Sequence, residues 1–159
     1  MSDKDIVMTK DGYEKLLAEL DRYKTSVRKE VAEKLKLARS YGDLSENSEY
    51  DEAKEEQARV EMKIAEMENT VNNAVIVETD VQDKSSVSFG ATIKVYDIEF
   101  DEEIEYTIVG SKEVDPMNNK ISSESPAGKA MIGKKVGEIA QVTDKDGQVI
   151  SEFKILEIL

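Results

Sequence analysis

Residues Gly42 to Tyr50 read GDLSENSEY and interrupt two long stretches of helical periodicity. Glycine accepts the left-handed backbone that ends a helix, so Gly42 is read as the residue just past the first one. The pattern resumes almost at once, and the reversal between carries two carboxylates, Asp43 and Glu46. A long helix, a tight reversal and a second long helix make an antiparallel hairpin, with those acids at its far end.

Working outward, the flanking helices carry matching seams. Thr9 is an N-cap candidate, because its hydroxyl oxygen can accept from a first-turn amide. From there Tyr13, Leu16, Leu20, Tyr23 and Val27 alternate steps of three and four, which is coiled-coil spacing. Val27, Val31, Leu35 and Ala38 then step by four, four and three, a stutter that relaxes the supercoil locally. A helix from Thr9 to Ser40 would be about 48 Å long at ~1.5 Å per residue. After the reversal Tyr50, Ala53, Gln57, Val60, Ile64, Met67, Val71 and Ala74 keep the alternation unbroken. Two single-faced helices must bury their seams on each other.

Beyond Ala74 the period changes from helical to alternating. AVIVETDV, VSFGATIKVYDI and EEIEYTIVG read as strands rich in β-branched residues. A loop is expected from Ser111 to Glu124. Ser125 and Pro126 then give an N-cap with proline at the first helical position, and Gly133 ends a helix of about two turns. Asp146-Gly147 marks a hairpin joining VGEIAQVTD to QVISEFKILEIL. The fold class is therefore α+β, with a coiled-coil hairpin over residues 1–75 and a small antiparallel β domain with one short helix over 76–159.

Composition narrows the chemistry. The 159 residues include no cysteine and no histidine. Disulfides, thiolate metal sites and imidazole bases are thereby excluded, and carboxylates remain as the strong ligands, suited to hard ions such as Mg²⁺ or Mn²⁺. No apolar run is long enough to span a bilayer, so the expectation is a cytoplasmic protein with no membrane partner. A formal net charge of −13 disfavours ordinary duplex DNA binding. That charge is segregated: Arg22 to Arg39 holds seven basic residues against Glu30 and Glu33, a net +5, whereas Asp43 to Glu56 holds seven acids against Lys54, a net −6. One reading is solvated helix faces, with ion pairs of a few tenths of a kcal/mol each. Equally, a basic stripe beside an acidic tip can guide a nucleic-acid strand to that tip.

Asp43 and Glu46 admit two explanations. D-x-x-E is a capping-box pattern, in which each side chain satisfies an amide at the start of the second helix. As metal ligands, two carboxylates cannot complete a six-coordinate Mg²⁺ shell, and only Ser45, Asn47 and nearby backbone stand close in sequence. The remaining ligands must come from water or a partner, which makes the tip useful inside another enzyme's active site.

The segment Ala38 to Gln57, ARSYGDLSENSEYDEAKEEQ, closely resembles the tip signature of the bacterial Gre transcript-cleavage factors, GreA type. MTKDGYEKLLAEL, IVGSKEVD and SSESPAGKAMIGKKVG extend the resemblance along nearly the whole chain. It implies a partner, bacterial RNA polymerase, whose secondary channel receives the coiled coil, and a substrate, the 3′ end of backtracked RNA. It implies that Asp43 and Glu46 help position a Mg²⁺ ion shared with the polymerase, with Gly42, Leu44, Ser45, Asn47 and Tyr50 supporting the tip. Arg39 matches the family's basic position, with Lys36 and Arg28 as further RNA contacts. The C-terminal unit is expected to be FKBP-like and to dock through Ser125, Pro126 and Lys129, and the free chain to be a monomer that is not itself an enzyme. Ala127 and Gly128 depart from the family's usual larger aliphatic and small pair. The alternatives are a channel-binding regulator that does not cleave, an FKBP-like isomerase or chaperone, and a stand-alone coiled coil, for which the tip motif would be unexplained.

Overall fold

The computed structural model describes residues 5–42, 47–78 and 83–159. The chain forms two compact units. One is Tyr13–Ala74; the other is Val75–Leu159 together with the N-terminal segment ending at Gly12.

The hairpin unit is built from α1 (Lys10–Arg22), α2 (Arg28–Arg39) and α3 (Ser48–Asn73). The Thr9 hydroxyl accepts from the Gly12 amide at 3.0 Å, as an N-cap should. Between α1 and α2 the helix continues as a π turn over Tyr23–Val27. The stutter therefore takes the form of a widened turn, which absorbs residues in excess of the heptad without breaking the seam. The buried apolar side chains of this unit are Leu20, Val31, Leu35, Ala38, Ala53, Val60, Ile64 and Met67, with Leu16, Tyr23, Val27, Tyr50 and Val71 packed around the cluster they form. Each larger one contributes about 1.5–3 kcal/mol before entropy is subtracted, against about 0–1 kcal/mol for an exposed ion pair. The seam holds the hairpin together and charge only trims its alignment. Thr70 is also buried on this seam, its hydroxyl donating to the Glu66 carbonyl at 3.0 Å. Ala74 lies beyond the helix end.

The sheet unit contains β1 (Ile6–Met8), β2 (Ala74–Ile76), β3 (Thr92–Asp97), β4 (Glu102–Val109), β5 (Lys120–Ser122), α4 (Pro126–Met131), β6 (Ile139–Thr143) and β7 (Val149–Ile158). β1 and β2 form a two-stranded ribbon, and the other five are ordered β5-β4-β3-β7-β6. All pairings within the five are antiparallel except β4 with β5, which is parallel. Alternation does the sorting: Ile93, Val95 and Asp97 of β3 are buried while their neighbours are not. Ile93 and Val95 join Ile108, Met131, Ala140 and Ile155 in one core cluster.

Three expectations change. The first strand, Ile6–Met8, is three residues long and invisible to periodicity; it places the start of the chain with the sheet unit rather than within a 1–75 hairpin domain. The Glu113 carboxylate reinforces this placement, accepting from the amides of Thr9 and Gly110 at 3.0 Å each and from the Thr9 hydroxyl. The segment from Ser111 to Glu124 is not a plain loop, since it holds β5 and two short 3₁₀ turns. The expected strand AVIVETDV is ordered as strand only over Ala74–Ile76, and its residues 79–81 lie outside the described ones.

Candidate functional site at the hairpin reversal

Of the residues singled out at the reversal, Asp43, Leu44, Ser45 and Glu46 lie outside the described residues. Their flanks are described. The helix α2 ends at the C-cap Ser40, one residue earlier than a C′ Gly42 would require. Gly42 has φ +112°, and a Cβ built on it meets nothing within 4 Å. It is kept for its backbone conformation, not for a tight fit.

The start of α3 corrects the capping-box reading. The helix begins at Ser48, and its N-cap is Asn47, whose side-chain oxygen accepts from the Tyr50 amide at 3.1 Å. A box built on Asp43 would need a helix starting directly after it. The Asn47 Nδ2 also donates to the Ala38 carbonyl at 2.6 Å, across the hairpin. This cross-link was missed by sequence reading, since nothing in spacing alone pairs residues 38 and 47. The Arg39 guanidinium sits 5.8 Å from the centre of the Tyr50 ring, a second contact across the same point.

The basic stripe is partly neutralised. Lys24 pairs with Glu68 at 2.6 Å, Lys34 with Glu56 at 2.9 Å, and Arg22 with Glu19 at 2.7 Å. Arg28, expected to meet RNA, forms a two-pronged fork with Glu61, both bonds at 2.9 Å. That fork lowers the Glu61 carboxyl below its ordinary value and raises the guanidinium, chiefly through the hydrogen bonds themselves. Lys29, Lys36 and Arg39 are exposed and have no carboxylate partner among the described residues. They lie on α2 at steps of seven and three, and so line one flank leading to the reversal.

A metal fit can be judged from donor chemistry. Carboxylate oxygens suit Mg²⁺, but the Asn47 oxygen is engaged by the Tyr50 amide and is not a ready third ligand. Among the described residues there is no group of three or more His, Cys, Asp or Glu side chains able to hold a metal ion.

In the sheet unit, the Ser125 hydroxyl accepts from the Gly128 amide at 3.0 Å and donates to the Ser122 carbonyl at 2.6 Å. It therefore caps α4 and shapes the turn that leads into it. Pro126 and Lys129 border an open groove of about 560 Å³ whose lining includes Ala130, Gln141, Thr143 and Ile150. A second groove beside it is lined by Ile98, Val149 and Ile150 among others. Neither has an aromatic in its wall. Tyr106 and Phe153 instead pack edge to face in the core, ring centres 6.0 Å apart. No helix among the described residues is long and apolar enough to cross a membrane.

Fold and site together define a two-unit protein that carries its candidate chemistry at the reversal of a helical hairpin rather than in a cavity. The chain belongs to the GreA/GreB family of transcription elongation factors: the family's N-terminal model matches residues 6–76 and its C-terminal GreA/GreB model residues 82–159. It is 58% identical to the transcription elongation factor GreA of Clostridium botulinum over 155 residues, which are 98% of this chain and 96% of the relative. With the GreA of Clostridioides difficile the identity is 53% over the same coverage. Among solved structures it is similar to the GreA factor homolog 1 (Gfh1) of Thermus thermophilus, at 28% identity, 98% and 99% coverage and a TM-score of 0.43.

Proposed function

We propose that this elongation factor binds bacterial RNA polymerase, inserts the hairpin into the secondary channel and stimulates the polymerase's own Mg²⁺-dependent cleavage of backtracked RNA. The observation that carries the reading is the cap at Asn47. Helix capping was the competing explanation for the acids at 43 and 46, and Asn47 fills that duty. Asp43 and Glu46 then serve as carboxylate ligands offered to a shared ion at the partner's active site. Bound there, Mg²⁺ supplies charge neutralisation at phosphate and a more acidic water. The chain's own part is to deliver two carboxylates, to hold the RNA end by Lys36 and Arg39, and to dock through the groove beside Pro126 and Lys129. It lends chemistry to the polymerase rather than owning a reaction.

An isomerase reading would need an aromatic-walled pocket, and neither of the two grooves described above supplies one. The test is a stalled, backtracked elongation complex with labelled RNA, given Mg²⁺ and either the wild-type chain or Asp43→Ala or Glu46→Ala. Shortened RNA with the wild type, and about a hundredfold slower cleavage with either variant, is the expected result. Intact RNA with the wild type would leave a non-cleaving channel regulator as the better reading.

A further inference from the structure

We propose that Asn47 is a positioning residue for the cleavage reaction: its side chain ties the end of α2 to the start of α3 and so fixes the separation of the two helix ends between which Asp43 and Glu46 lie in sequence. The inference rests on the cleavage reading for its function, and on geometry alone for the tie.

Two hydrogen bonds leave the one side-chain amide in opposite directions along the chain. Nδ2 donates to the Ala38 carbonyl at 2.6 Å, and Oδ1 accepts from the Tyr50 amide at 3.1 Å. The orientation of the amide is fixed by these partners, because exchanging its oxygen and nitrogen would set donor against donor and acceptor against acceptor. Ala38 is only 3% exposed, so its helix end is held by the seam and offers a fixed anchor. Arg39 over the Tyr50 ring adds a contact at the same level. Farther from the reversal the charged contacts across the hairpin are exposed ion pairs, Lys34 with Glu56, Arg28 with Glu61 and Lys24 with Glu68. Asn47 is thus the neutral brace next to the tip.

No other common side chain of this size does both jobs. Aspartate keeps the cap oxygen and loses the donor, while serine keeps an oxygen on a stem too short to reach Ala38. This separates bracing from capping. Reacting groups displaced by about 1 Å lose on the order of a hundredfold in rate, so a loosened span should act on turnover and not on attachment.

The test uses Asn47→Asp and Asn47→Ser in the full chain. The chain has no cysteine, so Leu37→Cys and Glu52→Cys, both at exposed positions, accept spin labels cleanly. In both variants we expect a broader label-to-label distance distribution than in the wild type and a thermal midpoint within a few degrees of it. At saturating factor the maximal cleavage rate should fall by about ten- to a hundredfold, while the half-saturating factor concentration stays within about twofold. An effect shared by both variants is not due to the charge of aspartate. An unchanged distance distribution, a wild-type maximal rate, or a loss confined to affinity or to the melting midpoint would overturn the proposal. If the wild type itself fails to cleave, the cleavage reading fails and with it the positioning role, whereas the distance measurement still decides whether Asn47 braces the hairpin.

Discussion

Gly128→Ala is a single methyl addition that should unfold the sheet unit well before the hairpin. Gly128 is buried at the third residue of α4, where that helix meets the end of β5. A Cβ at this residue would lie 2.0 Å from the Ser122 carbonyl oxygen, 3.0 Å from the Ser122 carbonyl carbon and 3.1 Å from the Ser123 Cα. All three are backbone atoms, so no side chain can swing aside. Ordinary contact starts near 3.4 Å, which leaves a shortfall of about 1.4 Å at the oxygen. Relieving it pulls α4 off β5 and weakens the bonds that Ser122 accepts from the Ser125 amide and hydroxyl. Overpacking of this kind costs about 1–3 kcal/mol, and losing the turn's hydrogen bonds adds about 1 kcal/mol. A unit of this size shifts by about 4–8 °C per kcal/mol, so the sheet unit's midpoint should drop by more than about 10 °C. Gly133→Ala is the control: its φ is +87° with nothing near a built Cβ, so it carries backbone strain of about 1 kcal/mol and no clash. Calorimetry on both variants separates the two costs. A Gly128→Ala midpoint equal to that of Gly133→Ala would refute the close-approach argument.

Two further outcomes follow from the contacts. Glu113→Gln keeps the shape but loses the charge that two amides and the Thr9 hydroxyl point at, which should cost about 1–2 kcal/mol by denaturant titration. Gly12→Ala would place a Cβ 1.8 Å from the same carboxylate, so its effect and that of Glu113→Gln should be less than additive; strict additivity would contradict the shared contact. As for pH, the Arg28 fork holds the Glu61 carboxyl below its ordinary value of 4.5, and Arg22 does the same for Glu19. A depressed carboxyl stabilises the fold above its unfolded value and loses that contribution as the pH falls through its folded one. The hairpin's melting midpoint should therefore decline on acidification below about 4.5, with a shallower decline in Glu61→Gln. Equal acid limbs in the two proteins would count against the fork.

The hairpin was legible because its signal repeats: Leu20, Val31, Leu35, Val60, Ile64 and Met67 each fall where steps of three and four place them. The short elements were not. Ile6–Met8 and Lys120–Ser122 are three residues each, too few for a period, and they exist through pairing with distant strands. The cap was misread for a chemical reason. Asp43, Glu46 and Asn47 all favour helix starts, and only the register of the helix, fixed by burial of Ala53 and Val60, decides which of them lies at the cap. The pairing of Arg28 was hidden because its partner Glu61 is thirty-three residues away and meets it only once the hairpin closes. Glu113 and Thr9 are farther apart still, and no local pattern announces their bond. The recognisable part of the candidate site was its composition, and the part supplied by folding is how Asn47 holds its two flanks.

The most direct test of the central claim, that Asp43 and Glu46 offer ligands for an ion shared with the polymerase, is the Mg²⁺ dependence of cleavage in backtracked complexes. Saturating wild-type chain should lower the Mg²⁺ concentration at half-maximal cleavage relative to polymerase alone, and Asp43→Asn with Glu46→Gln should return it to the polymerase-alone value while the chain still binds. The same half-maximal Mg²⁺ concentration with and without the wild-type carboxylates would contradict the claim.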